Sequence, residues 1–354
     1  MSFDLTKRKE IKHYIFEKIS DDDEFIISKV ADAFGISLTS VKRYLDSEIA
    51  DGNISLDFNR KSKYVLTQND FTFERDIKFL SEREDDLIFD DIFPLLTVNE
   101  NSKKIWSYVL PEIFNNVIEH SNGSIVKYSV KRNCLYSQIT VSDDGVGVFK
   151  NIMNYMKQSG NQGFCIQDAV GELYKGKFTS CPERHSGEGI YFSMKLLDSI
   201  SLISDGIVLK QGYKGDSVTI NSHLLAYAMK FEKKGTLVIM RLDNNSNRNA
   251  IDVFNTFSDV DEGFVKTCIP VFEACLDRNP ISRSQARRLC NRLNQFKEVV
   301  LDFEKVDMMA QGFADELFRV FHNEYPDVIL TPINMNEETK KMYLYTIHNK
   351  VNVI

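Results

Sequence analysis

The sequence predicts an α+β protein of several domains, on three observations. Residues 1–68 carry two helical apolar stripes followed by an apolar/polar alternation around a polar centre. Residues 101–242 mix long helical patterns with strand-like runs such as YSVKRNCLYSQITVSDDG and GTLVIMRL. Beyond the polar interruption DNNSNRN at 243–249, residues 250–354 alternate strand and helix patterns. With 354 residues, 43% of them apolar, the chain is long enough for two or three cores.

Other bounds come from charge and composition. A net charge of -7 argues against a generally basic nucleic-acid binder, although a local patch would be diluted in that sum. The chain lacks an apolar run of ~18 residues, and MSFDLTKRKE has no signal-peptide apolar core, so a cytoplasmic protein without a membrane segment is expected. The six cysteines, at 134, 165, 181, 268, 275 and 290, show neither a CxxC pair nor a metal-type cluster with histidine. Reduced thiols, mostly in the core, are the expectation.

Taken in order, Ile11, Tyr14, Ile15 and Ile19 make the first helical stripe and Phe25 to Phe34 the second. Gly35 gives a turn before the third helix, SLTSVKRYLDSEIADG, and ISLDFNRKSKYVLT reads as a hairpin. This order resembles a winged helix-turn-helix over 1–68. Residues 69–100 are acidic and aromatic and read as a helical connector whose apolar residues need burial. In the C-terminal part, IPVFEA, EVVLDF and VILTPIN read as strands. Helices are expected from about Ser282, through FADELFRVFHNEY, and at the end of the chain.

Four short patterns in the middle region carry chemistry. In EIFNNVIEHSNG, Glu112, Asn116 and His120 stand at i, i+4 and i+8 and share one helix face. An amide oxygen such as that of Asn116 suits a hard cation, and Glu112 suits a base that orients or deprotonates a nucleophile; a solvated helix face is the alternative. ITVSDDGVGVF ends a strand on Asp143 and then offers Gly145 and Gly147, an acceptor over a backbone floor or merely a turn. RHSGEGIYFSM places Gly187 and Gly189 before an apolar helical run, which is either an anion cradle or a tight turn. Gly235 and Thr236 precede the last apolar strand of the region.

In this order and spacing, the four patterns together resemble the GHKL ATPase fold of gyrase, MutL and the histidine kinases, an α/β sandwich with a mixed sheet and helices on one face. The resemblance implies an ATP site with Mg²⁺. Asn116 would ligate the Mg²⁺, Glu112 would activate the attacking water or hydroxyl, and Asp143 would accept from the adenine amine. Gly145 and Gly147 would let the base approach, Gly187 and Gly189 would face the phosphates, and Thr236 would belong to the late Gly-Thr pair. Residues 148–186 would form the ATP lid, where Lys175, Lys177, Arg184 and His185 are candidates to meet the phosphates. Glu188 departs from an easy phosphate cradle and is expected to point out of the pocket.

NNVIEHS, GELYKGKFTSCPERHSGEGIYF, ISRSQARRL and GFADELFRVF extend the resemblance to bacterial ATPases that join a winged helix, a GHKL domain and a C-terminal STAS-like domain of unknown function. The domains would then be 1–68, a connector 69–100, 101–242 and 250–354. An ATP-driven regulatory switch with slow hydrolysis is the leading expectation. A serine/threonine kinase acting on a separate STAS-type substrate and a nucleotide regulator without turnover are the alternatives. No histidine is followed by an acid, which speaks against histidine autokinase activity, and Met309, Ala310, Gln311 and Gly312 offer no hydroxyl for phosphorylation in cis. Ser40, Lys42 and Arg43 on the third helix and Arg60, Lys61 and Lys63 in the wing are the DNA candidates. Against them, residues 1–68 hold 11 Lys/Arg and 12 Asp/Glu, so DNA and protein contacts both stay open for this module. The other expected partners are an adenine nucleotide, a protein at the STAS-like domain and a second copy of the chain.

Overall fold

A computed structural model describes residues 4–80, 88–166, 168–178, 187–212, 234–259, 261–275 and 279–348. It is an α+β molecule in which an N-terminal helical unit, a large antiparallel sheet and a small parallel sheet follow one another along the chain.

The N-terminal unit contains α1 (Leu5–Ser20), α2 (Ile26–Phe34), α3 (Leu38–Ala50) and a hairpin of β1 (Ile54–Leu56) and β2 (Tyr64–Leu66). Asp4 and Ser37 accept from the first-turn amides of Lys7 and Ser40 and so start α1 and α3. Gly35, at φ +62°, ends α2 in the left-handed conformation. Ile11, Ile15, Ile19, Val30, Val41 and Leu45 form the buried centre. Asp22 pins the hairpin to the α1–α2 turn by accepting from the Ser62 amide at 3.1 Å and Arg60 Nε at 3.2 Å.

The large sheet contains β3 (Asn69–Asp76), β4 (Ile125–Arg132), β5 (Tyr136–Asp143), β6 (Ser199–Ser204), β7 (Ile207–Gly212) and β8 (Thr236–Asp243). Its order is β3-β4-β5-β8-β6-β7, and each of its five pairings is antiparallel. The mixed sheet expected here is therefore corrected; parallel pairing belongs to the C-terminal sheet. Residues 69–76 also differ from the helical connector expected for them. They form the edge strand β3, in register with β4 from Asn69↔Arg132 to Asp76↔Ile125. Acidic residues of the expected connector pair across the strands, Glu74 with Lys127 at 2.9 Å and Asp70 with Lys131 at 3.0 Å. Residues 88–92 and 93–95 form π- and 3₁₀-helical turns, and Asp91 ties them to the sheet through Arg75 and the Tyr128 hydroxyl.

Alternate residues of β4, β5 and β8, among them Val126, Tyr128, Ile139, Val141, Val238 and Met240, are buried on one face, as period-2 patterning requires. The long helix α4 (Glu100–His120) buries Ile105, Trp106, Val109, Ile113 and Val117 in the same core. Among the described residues of this region three further helices follow, α5 (Val148–Gln158), α6 (Asp168–Lys175) and α7 (Gly189–Leu196). The run DSVTI, expected as a strand, lies outside the described residues.

DNNSNRN is not a loose boundary. Asn244 and Ser246 are buried, and Asn99, Asn101 and Ser102 at the start of α4 bond to the backbone of 243, 246 and 248. After it come α8 (Ala250–Phe257), the short pair β9 (Ser258–Asp259) and β10 (Gly263–Phe264), β11 (Lys266–Pro270) and α9 (Val271–Ala274). Next are α10 (Arg283–Cys290), β12 (Glu298–Asp302), α11 (Gln311–Asp315), a π-helical run (Glu316–Phe321) and α12 (His322–Glu324). The chain continues through β13 (Ile329–Ile333) and α13 (Glu337–His348). The strands β11, β12 and β13 make a parallel sheet in that order. One apolar cluster runs from Ile77 to Val328, so the middle and C-terminal regions share a core. Cys134, Cys165, Cys268, Cys275 and Cys290 are free thiols, of which only Cys275 is fully buried; Cys181 lies outside the described residues.

Candidate functional site

A cleft of about 280 Å³ opens between α4, the end of β5, the start of α5 and the start of α7. Glu112, Asn116 and His120 line it together, because the 3.6-residue period brings i, i+4 and i+8 to one face of α4. Asn116 commits its carboxamide nitrogen to the Glu112 carbonyl at 2.6 Å, so the carbonyl oxygen is the polar end that remains.

Asp143 lines the cleft where β5 stops, and it accepts from the Gly145 amide at 2.8 Å. Burial pushes its carboxyl up to about 6, a shift the Gly145 amide only partly offsets. Its neighbour Asp144 turns away and accepts from the amides of Ile125 and Ser124 at 2.9 and 2.7 Å. The Ile125 amide first among these contacts holds the Asp144 carboxyl below its usual range. One carboxylate of the Asp-Asp pair thus serves the turn and the other faces the cleft.

The glycines have separate reasons. Gly145 is not part of the cleft lining, and a Cβ there would overlap the Ser121 carbonyl, which also accepts from the Val146 amide at 2.7 Å. Gly147, at φ +93°, lines the cleft and begins α5; a side chain there would run into Ser204 and Asp205. The first amides of α5 are then satisfied from outside the helix. Val148 donates to Thr236 Oγ1 at 3.1 Å and to Ser204 Oγ at 3.2 Å, and Lys150 to Asp205 Oδ2 at 3.0 Å. Thr236 therefore lines the cleft and also fixes the helix that bounds it. Ser204 and Asp205 were missed in the sequence, where ISDGI reads only as a turn between strands.

Gly187 and Gly189 both line the cleft at the start of α7. Gly187, at φ +73°, passes against the Phe178 backbone, and a Cβ at Gly189 would overlap the Glu112 carboxylate. Glu112 thus lies over the N-terminus of α7, an electrostatically favourable place for an anion. Glu188, expected to point outward, lines the cleft instead. It precedes the first turn of α7 and acts on Lys177 and Tyr108, whose hydroxyl is driven up by burial and then by the charges of Glu112 and Glu188.

The remaining candidates lie elsewhere. Lys177 is not part of the lining: its ammonium donates to the Gln295 carbonyl at 2.9 Å and stands 4.7 Å from the Phe296 ring centre. Lys175 is buried with Glu172 and the carbonyls of Arg288 and Asn291. Both lysines face the C-terminal region because its carbonyls offer desolvated acceptors, so neither stands at the cleft as expected. Arg184 and His185 lie outside the described residues, as does all of 179–186 within the segment expected as a lid. In the N-terminal unit, Lys42, Arg43, Lys61 and Lys63 are exposed, Ser40 bonds to Ser37 at 2.9 Å, and Arg60 is paired with Asp22.

The described lining is acidic, with Glu112, Glu119, Asp143, Glu172 and Glu188 and, among the described residues, no lysine or arginine. Among the described residues no group of three His, Cys, Asp or Glu forms a metal site by itself. A hard cation held by the Asn116 oxygen would therefore complete its shell with oxygens of a ligand or water, which suits Mg²⁺. The donor set fits an anionic ligand that arrives with its own cation.

Among the described residues, no helix is long and apolar enough to cross a membrane. No curated protein matches the chain. Residues 285–340, from α10 into α13, match the STAS-like domain of unknown function (DUF4325), so this part of the chain is a STAS-like domain.

Proposed function

We propose that this protein is an ATP-binding regulatory switch of the GHKL type, a slow Mg²⁺-dependent ATPase that passes its nucleotide state to a winged-helix module and to the STAS-like domain. One observation carries the reading: four patterns far apart in sequence supply Glu112, Asn116, Asp143, Gly187, Gly189 and Thr236 to the lining of a single cleft. Asp143 would accept from the exocyclic amine of the base where β5 ends on the cleft. The amides at the start of α7 would face the phosphates. Bound Mg²⁺ would neutralise phosphate charge, with Asn116 holding it. Glu112, on the adjacent turn of α4, would orient and deprotonate the attacking water.

The exposed Lys42, Arg43, Lys61 and Lys63 make the winged-helix module a candidate for DNA phosphates, with Arg60 reserved for the fold. Transfer to a separate hydroxyl substrate is the competing reading, since Glu112 would serve either acceptor.

The test uses calorimetry with Mg²⁺-ATP and release of labelled phosphate. Glu112→Gln should retain binding within about threefold and lose at least ~100-fold in turnover, whereas Asn116→Ala should lose binding. Turnover that survives Glu112→Gln would remove Glu112 from its role. Label that appears on protein rather than as free phosphate would favour the kinase.

A further inference from the structure

The cleft wall formed by α6 and the residues after it is held from behind by the STAS-like domain. Glu172, Gly176 and Phe178 line the cleft. Glu172 and Lys175 are only 1% and 2% exposed and pair with each other at 2.8 Å. The other two contacts of the ammonium are the Arg288 carbonyl at 3.1 Å and the Asn291 carbonyl at 2.8 Å, at the end of α10. Arg292 grips the same wall twice, reaching Glu172 Oε2 at 3.2 Å and the Lys177 carbonyl at 2.5 Å. Arg288 adds a third link, to Asp168 at 2.8 Å.

Arg292 and Lys177 both hold left-handed backbone, at φ +63° and +57°, which residues with a Cβ adopt only where surrounding contacts impose it. Here each is fixed by the other's element. The charge arithmetic has the same sense: Glu172 is a buried carboxylate on the wall of an already acidic cleft, and Arg292 and Lys175 neutralise it. Removing Arg292 lowers the net charge of the cluster from about +1 to 0 and leaves Glu172 with Lys175 as its remaining counter-charge, so the wall becomes less favourable to an anionic ligand.

We propose that the STAS-like domain is a clamp on the cleft, which sets ligand affinity through the buried ion cluster of Glu172, Lys175 and Arg292. The clamp rests on the nucleotide reading for its ligand but not for its mechanics. Because coupling is reciprocal, a partner that draws the Asn291–Arg292 turn away weakens nucleotide binding, and bound nucleotide resists that partner.

The test compares the full chain with Arg292→Met and, as a control, Arg287→Met, whose guanidinium pairs with Glu316 inside the STAS-like domain. Amide exchange over 168–175 is measured without nucleotide, and Mg²⁺-ATP affinity by calorimetry. Arg292→Met should speed α6 exchange and raise Kd by about tenfold or more, within the usual range of coupling between sites, while Arg287→Met stays within about twofold. Should Arg292→Met fail to fold, Arg288→Met replaces it. Unchanged α6 exchange overturns the clamp whether or not ATP binds, and so does loosened exchange with unchanged Kd. A wild-type chain that binds no ATP but loosens at α6 in the variant sinks the nucleotide reading and leaves the clamp standing.

Discussion

Asp143 shows how one residue is tuned by its position. Its carboxyl binds a proton more tightly folded than unfolded, at about 6 against an ordinary 3.8. Its contribution to stability is therefore greatest below the ordinary value and is lost as pH rises through about 6. Asp143→Asn removes the buried charge and keeps an acceptor for the Gly145 amide. At pH 7.5 the free variant should be more stable by about 1–3 kcal/mol, with Tm up by about 2 °C or more, and the gain should vanish near pH 4. If the ionised form accepts from an adenine amine, as proposed, wild-type affinity should fall as pH drops from 7 through 6 to 5. A variant that is no more stable at pH 7.5, or a flat affinity profile, contradicts the assignment.

Gly189 makes the second residue-scale case. With a Cβ in the space of the Glu112 carboxylate, Gly189→Ala must displace the proposed base while leaving helix propensity improved. Turnover should drop by at least ~10-fold with Tm nearly unchanged, read by phosphate release and thermal melting. Full activity would show that the carboxylate works from another position.

At the scale of elements, the face of α4 was legible because three polar residues at helical spacing stand beside an apolar stripe. The STAS-like elements were legible too, since β12 and β13 are short apolar runs between helices, and Ser282 with Gln285 forms a capping box at α10. The strand β3 was hidden. As an edge it buries only one face by halves, through Phe71, Phe73 and Arg75, and with its outward acids it read as part of a helical connector. The lysines of the GELYKGK segment misled for a related reason: they fall in the segment matched to a lid, yet the backbone carbonyls that accept from them lie more than a hundred positions away. Local patterns cannot show a partner that only the fold delivers. The N-terminal unit makes its own prediction. If Lys42 and Lys61 meet phosphates, Lys42→Glu with Lys61→Glu should abolish a salt-dependent DNA complex in a gel-shift assay without lowering Tm, because both side chains are exposed. DNA binding that survives the double change places the contact elsewhere, and a wild type that binds no DNA assigns the module to protein contacts.

Across the whole molecule the parts are joined rather than strung. The N-terminal core includes Leu135 with Cys134 and Tyr136 at the β4–β5 turn, and Arg241 stacks on Tyr136 while reaching Ser20. On the other side, α6 meets the STAS-like domain through the ion cluster, and α7 meets β11 through Tyr191, whose hydroxyl accepts from the Cys268 amide at 3.0 Å. The N-terminal unit thus meets the far end of β5 from the cleft, whereas the C-terminal region backs the cleft wall at α6 directly.

If this acidic cleft takes a nucleotide, the lack of lysine or arginine in its described lining requires a divalent cation to come with it. Calorimetric titration of the full chain with ATP, in Mg²⁺ and then in EDTA, tests it most directly. The account predicts saturable binding with Mg²⁺, at least ~100-fold weakened in EDTA and lost in Asn116→Ala. Absence of binding with Mg²⁺, or equal affinity in EDTA, would contradict it.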